Sequence, residues 1–369
     1  MLDDFNEKLA KLVVNYSLNV KENNKVYIQA GVDSFELARE IYTEVIKVGG
    51  HVLDTKLAMP GGSELFYKYA QEHQLKFMNP VSMETVKIVD KIVSVFSSTN
   101  RKALSNVDPA KMMMTREASK EIQKIYRDRD AAGELEWVVC PYPAPAFAQE
   151  ANMGTYEYKE FVYNSLAFDK KDPVEHWKAV NKEQAAIVEI LQKGKELRVV
   201  GEDTDLTMSV EGRGWINASG QKNLPDGEVF TSPIEDSTEG TIRFSYPGIY
   251  MGKDIENIWL KFKEGRVVEY DAAKSKNVLE KVLEAENADI LGEMAIGTNY
   301  GIQRFTKNML FDEKMGGTIH LALGNGFKEI GSKNESVIHW DILKDMKSEE
   351  SVIYLDGEVI YKAGKWQNP

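Results

Sequence analysis

Apolar residues recur at helical spacing at the start of the chain and then gather into short runs broken by glycine and proline. Leu2, Phe5, Leu9, Leu12 and Val13 fall on one face of a helix. Residues 25–30 read as a buried strand. Asp33 or Ser34 is placed to cap a helix carrying Leu37, Ile41, Val45 and Ile46, which Gly49 and Gly50 end. Residues 51–57 make a second strand, and strand–helix–strand order favours parallel pairing through a right-handed crossover. A helical region after Gly62, a strand over 91–96, a helix over about 110–129 and a strand over 136–140 continue the alternation. Prolines at 141, 143 and 145 then stop pairing. These elements predict an open α/β layer domain.

Asp172 and Pro173 open a long helix whose apolar side is Val174, Trp177, Ile187, Val188 and Leu191, with Gly194 at its end. Past Lys195 the pattern changes. Short β-like runs over 197–201, 240–245 and 258–262 are punctuated by glycines, and one helix is expected over 275–291. The chain therefore reads as α/β overall, with an N-terminal α/β domain over 1–195 and a largely β domain over 196–369.

Composition narrows the function more than the fold. The 369 residues are 43% hydrophobic and 28% charged, with a formal net charge of −12, as in ordinary globular proteins. An acidic surface repels phosphate backbones, so no nucleic-acid partner is expected, whereas metal ions and the ammonium end of a peptide suit it. One cysteine, Cys140, excludes an internal disulfide framework and a four-cysteine zinc site. The start of the chain lacks the basic residues and apolar run of a secretion signal. No segment nears the roughly 18 uninterrupted apolar residues of a membrane span. A cytoplasmic protein without a membrane partner is the expectation.

Of five histidines, His51 opens a strand, His73 lies on a charged helix and His176 sits in the first turn of the long helix. His320 and His339 lie instead in the glycine-rich second half, each beside apolar runs. Residues two apart on a strand share a face, so His339 and Asp341 project together, and imidazole with carboxylate suits zinc, manganese or cobalt. A histidine satisfied by a neighbouring carboxylate explains that pair equally well. Glu228, between Pro225 and Pro233, is expected in a rigid, partly buried turn, and Glu293 is a lone acid in an apolar run. A buried carboxylate is costly unless paired, hydrogen-bonded or metal-bound.

Taken in order, the segments around Glu228, Glu293, His320 and the His339–Asp341 pair resemble the aminopeptidase T and aminopeptidase S family of dinuclear metallopeptidases. The resemblance runs along essentially the whole chain and is strongest over about 201–346. It implies a metal shell of Glu228, Glu293, His320, His339 and Asp341 holding two divalent ions (zinc, cobalt or manganese). It also implies a metal-bearing β domain, a homodimer, and hydrolysis of the N-terminal residue from peptides with a free N-terminus. Glu293 or Glu228 is the expected proton carrier. Many members have a tyrosine seven residues after the first histidine. Phe327 stands there in this chain, and Tyr300 is a candidate substitute for its hydroxyl. Arg304, Lys307, Asp312 and Glu313 read mainly as a solvated loop.

Two competing expectations stand beside this one. A nucleotide- or sugar-handling enzyme would need a phosphate-binding glycine motif after the first strand, and none is present. A non-catalytic dimeric metal- or peptide-binding protein of the same fold is favoured by Phe327 alone.

Overall fold

The four strands expected in the first half form, and all pair in parallel. The computed structural model describes residues 4–367, so Leu2 of the first helical stripe lies outside the described residues. The sheet order is His51–Ala58, Lys25–Gly31, Lys91–Phe96, Glu136–Pro141. Val26, Ile28, Val93, Val138 and Cys140 are buried, whereas His51–Ala58 is an edge strand and largely exposed. Burial also pushes the Cys140 thiol up to about 12, which leaves it unreactive.

Some local expectations are corrected. Ser34 precedes the helix Phe35–Lys47 but caps none of its N–H groups; its hydroxyl bonds the backbone of Gly31 instead. The charged helix over 110–129 is two helices, Pro109–Ala118 and Lys120–Ala131, meeting at Ser119. Asp172 caps as expected, accepting from the N–H groups of Val174 and Glu175. The helix expected over 275–291 ends at Leu283, and Leu291 opens a strand. There an apolar run too short for helical period to be distinguished is drawn into sheet pairing.

The chain divides into two compact units. One runs to Glu175 and takes back Gly220–Leu224; the other holds His176–Ser219 and everything from Pro225 on. The division falls one helix before residue 195, because Trp177, Gln184, Ile187 and Leu191 of the helix Pro173–Leu191 are buried on its C-terminal part, and Ile187 and Leu191 join the core of the second unit.

The second unit is built on two antiparallel sheets. An eight-stranded sheet runs from Arg266–Asp271 at one edge to Lys365–Trp366 at the other. A five-stranded sheet has the order His339–Asp345, Thr318–Gly324, Leu291–Gly297, Glu228–Thr231, Ile216–Ala218. Alternate residues of both, among them Leu197, Leu206, Ile242 and Leu260 from the first and Met294, Ile319, Leu321 and Ile342 from the second, share one apolar core. Burying each such side chain contributes about 1.5–3 kcal/mol. That fixes the register of the five-stranded sheet, since a one-residue slip would turn every core residue outward.

Candidate metal centre

With that register set, the face of the five-stranded sheet turned away from the core carries a row of acids and imidazoles. Glu228 pairs with Gly297 and Phe230 with Ala295. Ala295 also pairs with His320, and Glu293 with Ala322. Ala322 in turn pairs with Asp341 and Gly324 with His339. Glu228, Glu293, His339 and Asp341 thus face alanine or glycine across the strand gap, and His320 does so on its Ala295 side, which leaves room for the row to converge.

Two glycines permit this approach, each placed just before a glutamate. Gly227 has φ of +120°, a conformation that side chains resist. At Gly292, where the strand shifts register, a β-carbon would come within 2.3 Å of the Asn325 carbonyl oxygen and 2.4 Å of that of Gly324. Backbone atoms cannot swing aside. Gly292→Ala is therefore expected to lower stability by about 1–3 kcal/mol, read as a lower urea midpoint at unchanged slope. A wild-type midpoint would show that the shift does not depend on glycine.

The side chains meet in two groups that share Glu293. Its Oε1 lies 3.4 Å from His320 Nε2, and its Oε2 lies 3.2 Å from His339 Nε2. Glu228 Oε2 is 3.6 Å from His320 Nε2, and Asp341 Oδ1 is 3.6 Å from His339 Nε2. Ligand atoms of Glu228, Glu293 and His320 lie within 4.8 Å of one another, as do those of Glu293, His339 and Asp341. Glu228, Glu293 and His320 are buried, while His339 keeps 33% of its side chain exposed and marks the open side.

The donor chemistry fits a metal. Glu228 Oε2, Asp341 Oδ1 and His320 Nδ1 are buried without a hydrogen-bond partner, an arrangement that costs about 1–3 kcal/mol per group unless something is bound. His339 Nδ1 lies 2.8 Å from the Asn325 carbonyl oxygen. A proton on that nitrogen leaves Nε2 as the ligating atom, the usual support for a metal-binding imidazole.

Without an ion, these groups perturb one another strongly. Burial alone would lower both histidines, yet contact with Glu293 and the neighbouring carboxylates raises His320 to about 9 and His339 to about 10. Burial pushes Glu293 up, but the two imidazoles outweigh it and hold that carboxyl at about 2. Burial raises Asp341 to about 6 and drives Glu228 upward against the pull of Lys314. Such clustering of shifted groups is typical of functional sites.

Other expectations are revised by the surroundings. Glu228 opens the strand Glu228–Thr231 rather than sitting in a turn, and Gln184 of the long helix donates to its carbonyl. Glu313 is part-buried, and its ligand atom groups with those of His320 and Asp341. Lys314 is buried and pairs with Glu228, Glu313 and Asp226. Asp312 is buried on Thr306, whose N–H and hydroxyl it accepts. Lys307 pairs with Asp254, and Arg304 is exposed. The solvated-loop reading therefore fails for Asp312 and Glu313. The signal was available, since both acids follow Leu310 and Phe311 in an apolar turn. Tyr300 cannot stand in for the missing hydroxyl, because its own donates to the Gly364 carbonyl. The Phe327 ring packs on Phe230 and meets the His339 ring edge-on.

Comparison with known proteins gives a consistent picture. The profile of the thermophilic metalloprotease (M29) family matches residues 3–366. The sequence is 26% identical to aminopeptidase AmpS of Bacillus subtilis, across 99% of this chain and all of that protein. It is also 26% identical to aminopeptidase T of Thermus aquaticus, across 92% of this chain and 93% of that one. The fold matches that of wild-type AmpT from Thermus thermophilus with a TM-score of 0.85, 23% identity, and coverage of 99% and 100% of the two chains.

Proposed function

Because the chain belongs to the thermophilic metalloprotease (M29) family and is a metallo-aminopeptidase, we propose that it removes the N-terminal residue of peptides at a centre of two divalent ions. The ligands in this reading are Glu228, Glu293, His320, His339 and Asp341. The observation that carries it is Glu293, which lies between two groups of donors with one oxygen toward each histidine.

Charge supports the stoichiometry. Asp226, Glu228 and Glu313 lie around one ammonium, that of Lys314, and Glu293 and Asp341 lie beside the two histidines. Five carboxylates against one cation leave four negative charges, which two divalent ions balance. The ligand mix of oxygen and imidazole nitrogen suits zinc, cobalt or manganese.

When bound, such a pair supplies a water of lowered pKa and polarises the scissile carbonyl. The protein supplies the rest. Asn325 orients His339, and Gln184 holds the backbone of Glu228. With Glu228 and Glu293 engaged as ligands, Glu313 is suited to carry the proton from water to the leaving amine, because it adjoins His320 and keeps 18% of its side chain exposed. An ion or an acidic side chain of the pocket would hold the free amine of a peptide, which accounts for action at the N-terminus. The Phe327 ring beside His339 supplies no hydrogen-bond donor to a substrate carbonyl.

The reading extends to a cytoplasmic homodimer. Apolar side chains exposed on the first unit, among them Phe35, Phe66, Tyr69, Phe77 and Val81, support a partner surface. Among the described residues no helix is long and apolar enough to cross a membrane.

Chelation tests the core of the reading. Thorough removal of metal is expected to abolish hydrolysis of aminoacyl substrates, and adding back a divalent ion to restore it. Activity that survives complete stripping ends the two-ion proposal.

A further inference from the structure

Lys314 touches one of the two groups of ligands that share Glu293 and not the other. Its ammonium is buried, with 2% of the side chain exposed, and sits against Glu228 Oε1. It also lies 2.7 Å from Glu313 Oε1 and 3.8 Å from Asp226 Oδ1. Glu228 therefore presents only Oε2 to His320, and that oxygen has no hydrogen-bond partner. Glu293 instead turns both oxygens toward the imidazoles. The group of Glu293, His339 and Asp341 contains no carboxylate paired with Lys314.

We propose that Lys314 is a positioning residue that confines Glu228 to one oxygen toward an ion and makes the position beside His320 the weaker of the two metal positions. This rests on the two-ion reading above. The physical argument has two parts. A fixed ammonium touching a ligand reduces the charge that the ligand offers to an ion and repels that ion directly. It also keeps Glu228 from closing over the ion with both oxygens, as a flexible carboxylate otherwise can. An ion that Glu228 meets through one oxygen rather than two would keep a place for the substrate or water, which a catalytic site requires.

A purely supportive lysine would behave differently. Removing it would loosen the pocket, so that ion affinity and turnover would fall together. Removing a lysine that restrains Glu228 separates the two: the ion binds more tightly and the enzyme works more slowly.

The test titrates metal-stripped full-length protein with zinc by calorimetry, and with cobalt to read coordination from the visible spectrum. Wild type is expected to bind in two steps of unequal affinity, the weaker being lost in His320→Ala. In Lys314→Met, a near-isosteric neutral change, the weaker step is expected to tighten about tenfold or more, the usual scale for groups that hold a metal ligand. The cobalt spectrum should shift toward higher coordination, and kcat should fall about tenfold. If Lys314→Met does not fold, Lys314→Gln is judged by the same criteria. Unchanged steps, or a joint fall of affinity and kcat, overturns the role of Lys314. Two equal steps in wild type also overturn it while leaving the two-ion centre standing. Wild type that binds no metal defeats the two-ion reading itself, and this proposal with it.

Discussion

Glu293→Ala is expected to empty both metal positions at once and to lower kcat/KM by roughly a thousandfold or more, the scale seen when members of one catalytic unit are removed. The reason is its place in the sheet. Glu293 belongs to both groups of ligands, with one oxygen toward His320 and the other toward His339. His339→Ala touches only the group of Glu293, His339 and Asp341, so it is expected to remove one ion and leave the other. Metal content per chain, measured beside activity and far-ultraviolet circular dichroism, separates the two outcomes. The fold should survive Glu293→Ala, because the pocket loses a charge that it otherwise has to neutralise. A Glu293→Ala protein with wild-type metal content would remove this residue from the shell and with it the shared-carboxylate argument.

The second large effect is in pH. In the metal-free protein His320 titrates at about 9 and His339 at about 10, both above the ordinary imidazole value of about 6.5. Both rings are therefore cationic near neutrality and must each lose a proton to accept an ion. Below about pH 9 each ion is expected to bind roughly tenfold more weakly per pH unit, or about a hundredfold between pH 8 and pH 6. Stability moves the other way in the stripped protein. A raised histidine contributes stability fully below its unfolded value, and that contribution is lost as pH rises through about 9 and about 10. Asp341, raised to about 6, loses its contribution earlier in the same direction. The difference in Tm between loaded and stripped protein should consequently widen as pH rises. A difference that stays constant across this range would mean that the imidazoles do not exchange protons for metal.

The proposed ligands differ in how far they could be read in advance. His339 and Asp341 were legible because they are two apart in an apolar run, and a strand puts such residues on one face. Glu228 and Glu293 were legible only as isolated acids in apolar surroundings. Their pattern carries a cost of burial but no partner, so the resemblance to a known family had to supply the grouping. Glu313 and Lys314 were missed as parts of the pocket for the opposite reason. A run of Asp312, Glu313 and Lys314 looks solvated in sequence, and nothing local announces that Lys314 turns inward to meet Glu228, 86 residues earlier in the chain.

The alternation of strand and helix in the first half, the parallel sheet, the glycine-punctuated β character of the second half and the two histidines worth attention are all legible from the order of residues. These follow from short-range periodicity, which each segment carries alone. The place of Glu293 between both histidines, the register shift at Gly292 that puts it there and the hold of Lys314 on one oxygen of Glu228 emerge only in three dimensions. Those depend on pairing across strands distant in sequence. Their register is set by the apolar residues on the opposite face of the sheet, which seek the core and so aim the acids and imidazoles at one another.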